Sequence, residues 1–275
     1  MRRLAIRPGG IGDSILGFPA LEHLGHDAEL EVWVREEVVP LIDFAATHTI
    51  EGSGISLVGV SPASESLQTR LLAFDEIHTW YGSNREEFRA ALDELHPRVF
   101  YHEALPSSEL SHAADFFSAQ VAASLPSIPR LRILPSPNRM IWIHPFSGSA
   151  KKNWLLERYQ LLARWLETTG RPVQFVVAPH QRFPGAKVVD DLKDLAALLA
   201  GGSLYIGNDT GITHLAAAAG ANTLALFGPT DPTIWAPRGD RVRLLSSNDL
   251  DQLSVERVLD AALEQTGFSS PTTST

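Results

Sequence analysis

Short apolar runs alternate with longer stretches in which apolar residues recur every three or four positions, the pattern of a parallel sheet wrapped by helices. Leu4-Ala5-Ile6 reads as a first strand, Glu31-Val32-Trp33-Val34 as a second, 54–60 as a third and 98–101 as another. Between them, a helix opens near Asp13 and stops at Gly25, with Pro19 either kinking it or limiting it to a short first turn. A second helix covers 88–95. Pro126, Pro129, Pro135 and Pro137 then fall close together, a composition suited to a linker. Beyond them the alternation resumes. Strands are expected at 141–143, 173–177, 204–206 and 223–227, and helices at 154–169, 190–200, 213–219 and 254–263. The last helix sets Val255, Val258, Leu259, Ala262 and Leu263 on one face.

Length and composition narrow this picture. At 275 residues, 44% hydrophobic and 20% charged, the chain reads as globular and is long enough for two domains of ordinary size or one large one. A formal charge of -9 argues against a nucleic-acid-binding surface, which needs broad positive charge. The absence of cysteine rules out disulfides, thiolate metal sites and a cysteine nucleophile, and fits a reducing compartment. Met1 to Pro8 is basic but too polar for a secretory signal, and no apolar run reaches the ~18–20 residues of a membrane span. The expectation is a soluble cytoplasmic protein, with a peripheral contact at the inner membrane surface still allowed.

Three turns carry candidate chemistry. Gly9-Gly10-Ile11-Gly12-Asp13 follows the first strand, but it departs from the dinucleotide fingerprint because Ile15 takes the third glycine position. Asp13 would repel a phosphate there and reads as a helix cap or as a base. His144 to Trp154 places Ser147, Gly148, Ser149 and Lys152 between a strand and a helix. Small residues, hydroxyls and a cation in that position suit a phosphate, though a solvated loop would look the same. Gly207 to His214 repeats the strand-turn-helix form with Asp209, Thr210, Gly211 and His214. Asp209 could cap the helix, orient Lys152 or bind a sugar hydroxyl; His214 could be structural or touch ligand. Phe227 to Pro232 should reach the same sheet edge. No carboxylate or histidine cluster has metal-ligand spacing, Asp190-Asp191 included, and no serine-nucleophile elbow occurs.

Taken in order, the three segments resemble glycosyltransferase family 9, the ADP-heptose:lipopolysaccharide heptosyltransferases and their relatives. Residues 6–14 with Phe18-Pro19-Ala20-Leu21 are similar to its opening motif, His144 to Tyr159 to its lysine-tryptophan segment, and 205–218 with 226–232 to its most recognisable block. The resemblance implies an α/β fold of two facing Rossmann-like domains (GT-B type) with a cleft between them. It assigns 1–136 to an acceptor-binding domain, 137–247 to a nucleotide-sugar-binding domain, 248–266 to a helix packing back on the first domain, and 267–275 to a disordered tail. It implies inverting, metal-independent transfer of a heptose-like sugar from a nucleotide diphosphate donor, such as ADP-heptose, to a glycan or glycolipid hydroxyl. No cofactor is needed beyond that donor.

By the same resemblance Asp13 is the general base, and Gly10 and Gly12 form the acceptor-side loop. Ser147, Gly148, Ser149, Lys152, Asp209, Thr210, Gly211 and His214 meet the donor. Gln181 stands where the family places an acidic residue on the donor ribose, and the 179–207 interval is short for the family. Two other readings share these residues. One is a sugar-nucleotide epimerase-like enzyme, distinguished by its product; the other is a non-catalytic nucleotide-sugar-binding module, which would bind without turnover.

Overall fold

A computed structural model describes residues 1–106 and 111–267, and the chain divides into two compact units, Met1–Pro129 and Arg130–Thr275. The first unit is built on β1 (Arg2–Ile6), α1 (Ile11–Leu24), β2 (Glu29–Val34), β3 (Ala46–Thr49), α2 (Glu65–Leu71), β4 (Glu76–Thr79), α3 (Glu86–Leu95), β5 (Val99–Tyr101) and α4 (Ala113–Ala119). Its five strands run parallel in the order β3-β2-β1-β4-β5. Central β1 buries Leu4, Ala5 and Ile6 completely, as a strand covered on both faces must. The core gathers Leu4, Ile6, Trp33, Ile77, Phe88 and Leu92 among others.

Unit 1 departs from the sequence expectation in one strand. Residues 54–60 form no strand; Ile55–Leu57 is a 3-10 turn, and the third strand lies earlier, at Ala46–Thr49. Gly52, Gly54 and Gly59 sit at φ of 80°, 82° and 80°, left-handed values that break an extended run. Helix α1 ends at Leu24 with Gly25 after it, as expected, and Pro19 does not limit it to a first turn.

The second unit runs β6 (Ile141–His144), α5 (Leu156–Glu167), β7 (Val173–Val177), β8 (Lys187–Val188), α6 (Leu192–Ala200), β9 (Leu204–Asn208), α7 (Gly211–Ala218), β10 (Thr223–Phe227), α8 (Pro232–Trp235), β11 (Val242–Ser246) and α9 (Val255–Thr266). Six parallel strands stand in the order β11-β10-β9-β6-β7-β8. Strands β9 and β10 are wholly buried, and α7, made almost entirely of small or apolar residues, is buried beside them.

The proline-rich stretch ahead of β6 is more than a spacer. Leu131, Ser136 and Asn138 donate their backbone N–H to Ala218, Ala197 and Gly201 at 2.8, 2.9 and 2.8 Å, strapping the segment onto α6 and α7.

Val255, Val258, Ala261, Ala262 and Leu263 of α9 are buried in the core of unit 2 with Ile141, Trp154 and Leu226. The apolar stripe seen in the sequence is the face that enters this core. The expected tail lies, apart from Gly267, outside the described residues.

Candidate functional site

In unit 2 the candidate residues collect at the carboxyl ends of β6, β9 and β10. Strand β6 ends on His144, whose Nδ1 pairs with the Val176 carbonyl at 2.9 Å. Burial holds this imidazole below its ordinary range, so it is neutral and ties β6 to β7. In the loop that follows, the Ser147 hydroxyl lies 2.8 Å from the Ser149 carbonyl and 2.7 Å from Asn153 Oδ1, two acceptors for its one proton. Ser147 therefore braces the loop from within, while Gly148 and Ser149 are exposed on its outer side.

The residue that joins these turns is Asn208, fully buried at the end of β9. Its Oδ1 accepts from the Trp154 backbone N–H at 3.0 Å and the Tyr159 hydroxyl at 2.9 Å; its Nδ2 donates to the Pro145 carbonyl at 2.8 Å. One side chain thus fixes the β6 loop and the start of α5 against β9. Each of those polar groups would be costly to bury unpaired, about 1–3 kcal/mol apiece.

Beside it, Lys152 Nζ donates to Asp209 Oδ2 at 2.7 Å. The carboxylate is buried, with 7% of its side chain exposed, whereas the lysine is 36% exposed. Of the three readings open for Asp209, the contact with Lys152 is present. Asp209 does not cap the helix: the N-cap of α7 is Thr210, in extended conformation and with no side-chain cap bond. The first turn of α7, from Gly211, thus presents main-chain amides at the end carrying the positive helix dipole, a setting suited to an anion. His214 lies one turn in and is buried.

Two other predicted positions have local duties. Gln181 Oε1 accepts from the Ala178 N–H at 2.9 Å, so its amide oxygen closes its own loop. Asp231 caps α8 through the Thr233 N–H at 2.8 Å, and the Thr233 hydroxyl on the same oxygen holds the carboxyl below its usual range. Asp231 also lines a pocket of about 650 Å³ with Thr230, Ser246, Asn248 and Gln252, at the carboxyl ends of β10 and β11.

Unit 1 presents a different kind of site. Asp13 lies in the first turn of α1, partly exposed, and the N-cap is Gly10, with no side chain capping the helix. The carboxylate is thus not committed to capping, one of the two readings its position allowed. It lies against Gly9: a Cβ on Gly9 would meet Asp13 Cβ at 3.0 Å and Oδ2 at 3.6 Å, and Gly9 has φ of +134°. Gly9 is the turn glycine that cannot be replaced without strain. At Gly10, with φ of -71°, a Cβ meets nothing within 4 Å.

Beneath this turn, Arg7 is 1% exposed. Its Nη2 donates to the Asp13 main-chain carbonyl at 3.1 Å, and its guanidinium carbon lies 3.9 Å from the Phe117 ring centre and 5.6 Å from that of Trp80. Its Nε is buried without a partner. Burial pulls the guanidinium down to about 10 against the opposing charge of Asp13. Gly17 makes room for it, since a Cβ there would stand 2.9 Å from Nε.

Past Trp80 the rings continue in a file. His102 stacks on Trp80 with centres 4.5 Å apart, His78 lies 5.3 Å from His102, and Phe100 lies 4.7 Å from His78. His78 Nδ1 and His102 Nε2 share one hydrogen bond of 3.1 Å. Burial lowers both histidines to about 4; the nearby Glu76 charge opposes this at His78, and His78 and Arg7 reinforce it at His102.

Among the described residues no three histidines or carboxylates stand together as a metal site, and no helix is long and apolar enough to cross a membrane. Sequence reasoning missed Arg7, Gly9, Gly17 and Asn208. The glycine-rich turn was the available signal for Gly9, and the Asn208-Asp209 pair at a strand end for Asn208. Nothing in the sequence marked Arg7 as buried.

Comparison with known proteins places the fold and the family. Lipopolysaccharide heptosyltransferase 1 of Escherichia coli strain K12 is 27% identical over 126 residues, covering 38% of this chain and 40% of that protein. The same enzyme of Escherichia coli O18:K1:H7 is 26% identical over 121 residues, covering 39% and 37%. The matched stretch therefore spans well under half the length of these relatives. Among solved structures, Escherichia coli ADP-heptose LPS heptosyltransferase II superposes with a TM-score of 0.74 at 17% identity, covering 97% of this chain and 98% of that one. Escherichia coli heptosyltransferase WaaC with ADP gives 0.68 at 20%, covering 96% and 100%. The two parallel-sheet α/β units are thus those of the GT-B heptosyltransferase fold. The family model described as glycosyltransferase family 9 (heptosyltransferase) matches residues 90–264, more than half of the chain and the whole of the Lys152–Asp209 region; the chain belongs to that family.

Proposed function

We propose that the chain transfers a heptose-type sugar from an ADP-activated donor to a hydroxyl of a lipopolysaccharide-type glycolipid, with inversion at the anomeric carbon and without a metal. The observation that carries this reading is the Lys152–Asp209 pair at 2.7 Å beside the uncapped first turn of α7. The names of the relatives, lipopolysaccharide heptosyltransferase and heptosyltransferase with ADP, supply the sugar, the acceptor class and the nucleotide.

In this reading the acceptor oxygen attacks the anomeric carbon and Asp13 takes its proton. The new carbon–oxygen bond forms as the bond to the diphosphate breaks, on the opposite face of the sugar. The departing diphosphate gains charge, which the Lys152 ammonium and the amides around Thr210 and Gly211 stabilise in place of a divalent cation. Ser147, Gly148 and Ser149 shape the loop against the donor, and His214 sits behind it. Gly10 and Gly12 line the acceptor side. Unit 1 serves the acceptor and unit 2 the nucleotide sugar. A lipid-linked acceptor places the work at the cytoplasmic face of the inner membrane, reached by peripheral contact.

The direct test is turnover of ADP-heptose with a lipid-linked core acceptor in EDTA, followed by determination of the anomeric configuration. Product of inverted configuration, formed at an undiminished rate in chelator, is expected. Hydrolysis or isomerisation of the donor alone would replace the transferase reading with the epimerase-like one, and nucleotide binding without turnover would favour a binding module.

A further inference from the structure

The most expensive side chain in unit 1 is Arg7. A guanidinium that is 99% removed from solvent normally has a carboxylate partner, because the desolvation cost is otherwise unmet. Arg7 has no ion pair among the described residues; its polar contact is the Asp13 main-chain carbonyl, and its Nε has no acceptor at all. It also lies under the first turn of α1, where the helix dipole is positive and a cation is disfavoured. A residue kept for packing alone would be methionine or leucine, which would fill the same space between Phe117 and Trp80 without those penalties. Three residues instead accommodate the cation: Phe117 from α4 and Trp80 after β4 offer ring faces, and Gly17 withholds a side chain.

We infer that Arg7 is the positioning residue for Asp13: it anchors the main chain of the base through Nη2 and sets a buried positive charge beneath the turn that carries it. This rests on the reading of Asp13 as the general base. The charged or titratable groups coupled to Arg7 are Asp13 on α1 and His102 beyond β5; the other faces are the uncharged rings of Trp80 and Phe117. His102 is neutral at physiological pH, so the favourable coupling is to Asp13.

The test compares Arg7→Met, Arg7→Lys and Asp13→Asn, using ADP-heptose and a lipid-linked core acceptor and recording kcat, donor KM and melting temperature. Arg7→Met should lower kcat by about 10–100-fold with donor KM within twofold of wild type, because the base is misplaced and not removed. Its melting temperature should hold or rise, because an apolar isostere relieves the buried charge. Arg7→Lys should recover part of the rate, since an ammonium restores a charged donor without the planar fork.

Should Arg7→Met fold poorly, Gly17→Ala supplies the same information by pushing the guanidinium aside with a helix-favouring residue; it should lower kcat and leave donor KM within twofold. A kcat unchanged in Arg7→Met, or a fallen rate accompanied by a risen donor KM, would overturn the inference while leaving Asp13 as the base. Full activity in Asp13→Asn would overturn the base and this inference together.

Discussion

The two units solve the same electrostatic problem with opposite signs. In unit 1 the buried partner is a cation, Arg7, and the group turned partly to solvent is a carboxylate, Asp13. In unit 2 the buried partner is a carboxylate, Asp209, and the group turned outward is an ammonium, Lys152. The contacts differ as well. Lys152 is bonded directly to the Asp209 carboxylate at 2.7 Å, whereas Arg7 holds only the main-chain carbonyl of Asp13. Under the proposed function this difference has a reason. A lysine that binds phosphate tolerates a carboxylate neighbour, since it keeps further N–H donors. A carboxylate that accepts a proton does better with its oxygens unengaged, and Arg7 meets Asp13 without occupying them. Each half buries one charge and displays the other, but only Asp13 is contacted through its backbone.

The largest test of this contrast is on the displayed carboxylate. Asp13→Asn keeps the shape and removes the proton acceptor, so turnover should fall by about 10²–10⁴ while ADP affinity stays within twofold. Since no side chain caps α1, the melting temperature should hardly move. Loss of ADP affinity together with the rate would show that the division of labour between the units is wrong.

Lys152→Ala should do the reverse. Calorimetric titration should show ADP affinity reduced by about 1.5–3 kcal/mol, the range for a hydrogen bond to a charged group. Removing the lysine leaves Asp209 as an uncompensated buried charge beside the phosphates, so adding Asp209→Asn to Lys152→Ala should recover part of the loss. An unchanged affinity in the single variant would remove Lys152 from the donor site, and a double variant worse than the single would mean that Asp209 binds ligand itself.

The smallest effect concerns the ring file of unit 1. His78 and His102 are held neutral, at about 4, whereas an unfolded histidine titrates near 6.5. Below that pH the unfolded chain binds more protons than the folded one, so stability falls as pH falls through the 6.5-to-4 window. From pH 7 to pH 6 the pair should cost unit 1 about 1 kcal/mol, read as faster native-state exchange of β4 amides after correction for intrinsic rates. Replacing both histidines by phenylalanine should flatten that slope; a slope that survives would place the acid sensitivity elsewhere.

Much of unit 2 was legible because its chemistry is local. The turn 207–214 and the block 226–232 carry their glycines, hydroxyls and acids within a few residues of a buried strand, so spacing alone set them at one sheet edge. What stayed hidden depends on partners far away in sequence. Arg7 reads as one more basic residue of a basic N-terminus until Trp80 and Phe117 close over it. Asn208 reads as a turn residue until it meets Pro145, Trp154 and Tyr159. The 54–60 run has the apolar content of a strand, but its glycines take left-handed values that the composition does not announce. Gln181 was placed near the donor ribose by the family resemblance; that its amide oxygen accepts from the Ala178 amide is a loop contact the sequence does not announce.

The position of α9 bears on how the chain is made. Every strand of the first sheet comes from residues up to 129, so that sheet can pair fully as soon as those residues have been synthesised. Unit 2 must wait. The Trp154 indole donates to the Leu253 carbonyl at 2.9 Å, and the apolar face of α9 fills the core beside Ile141 and Leu226. At ordinary elongation rates the chain reaches the end of α9 roughly seven to thirty seconds after completing unit 1. From the time 227 is made until α9 follows, β6, β9 and β10 exist with an apolar face uncovered. A nascent chain stalled anywhere between 227 and 254 therefore carries a folded first half and a second half that offers chaperones, or other stalled chains, a sticky sheet.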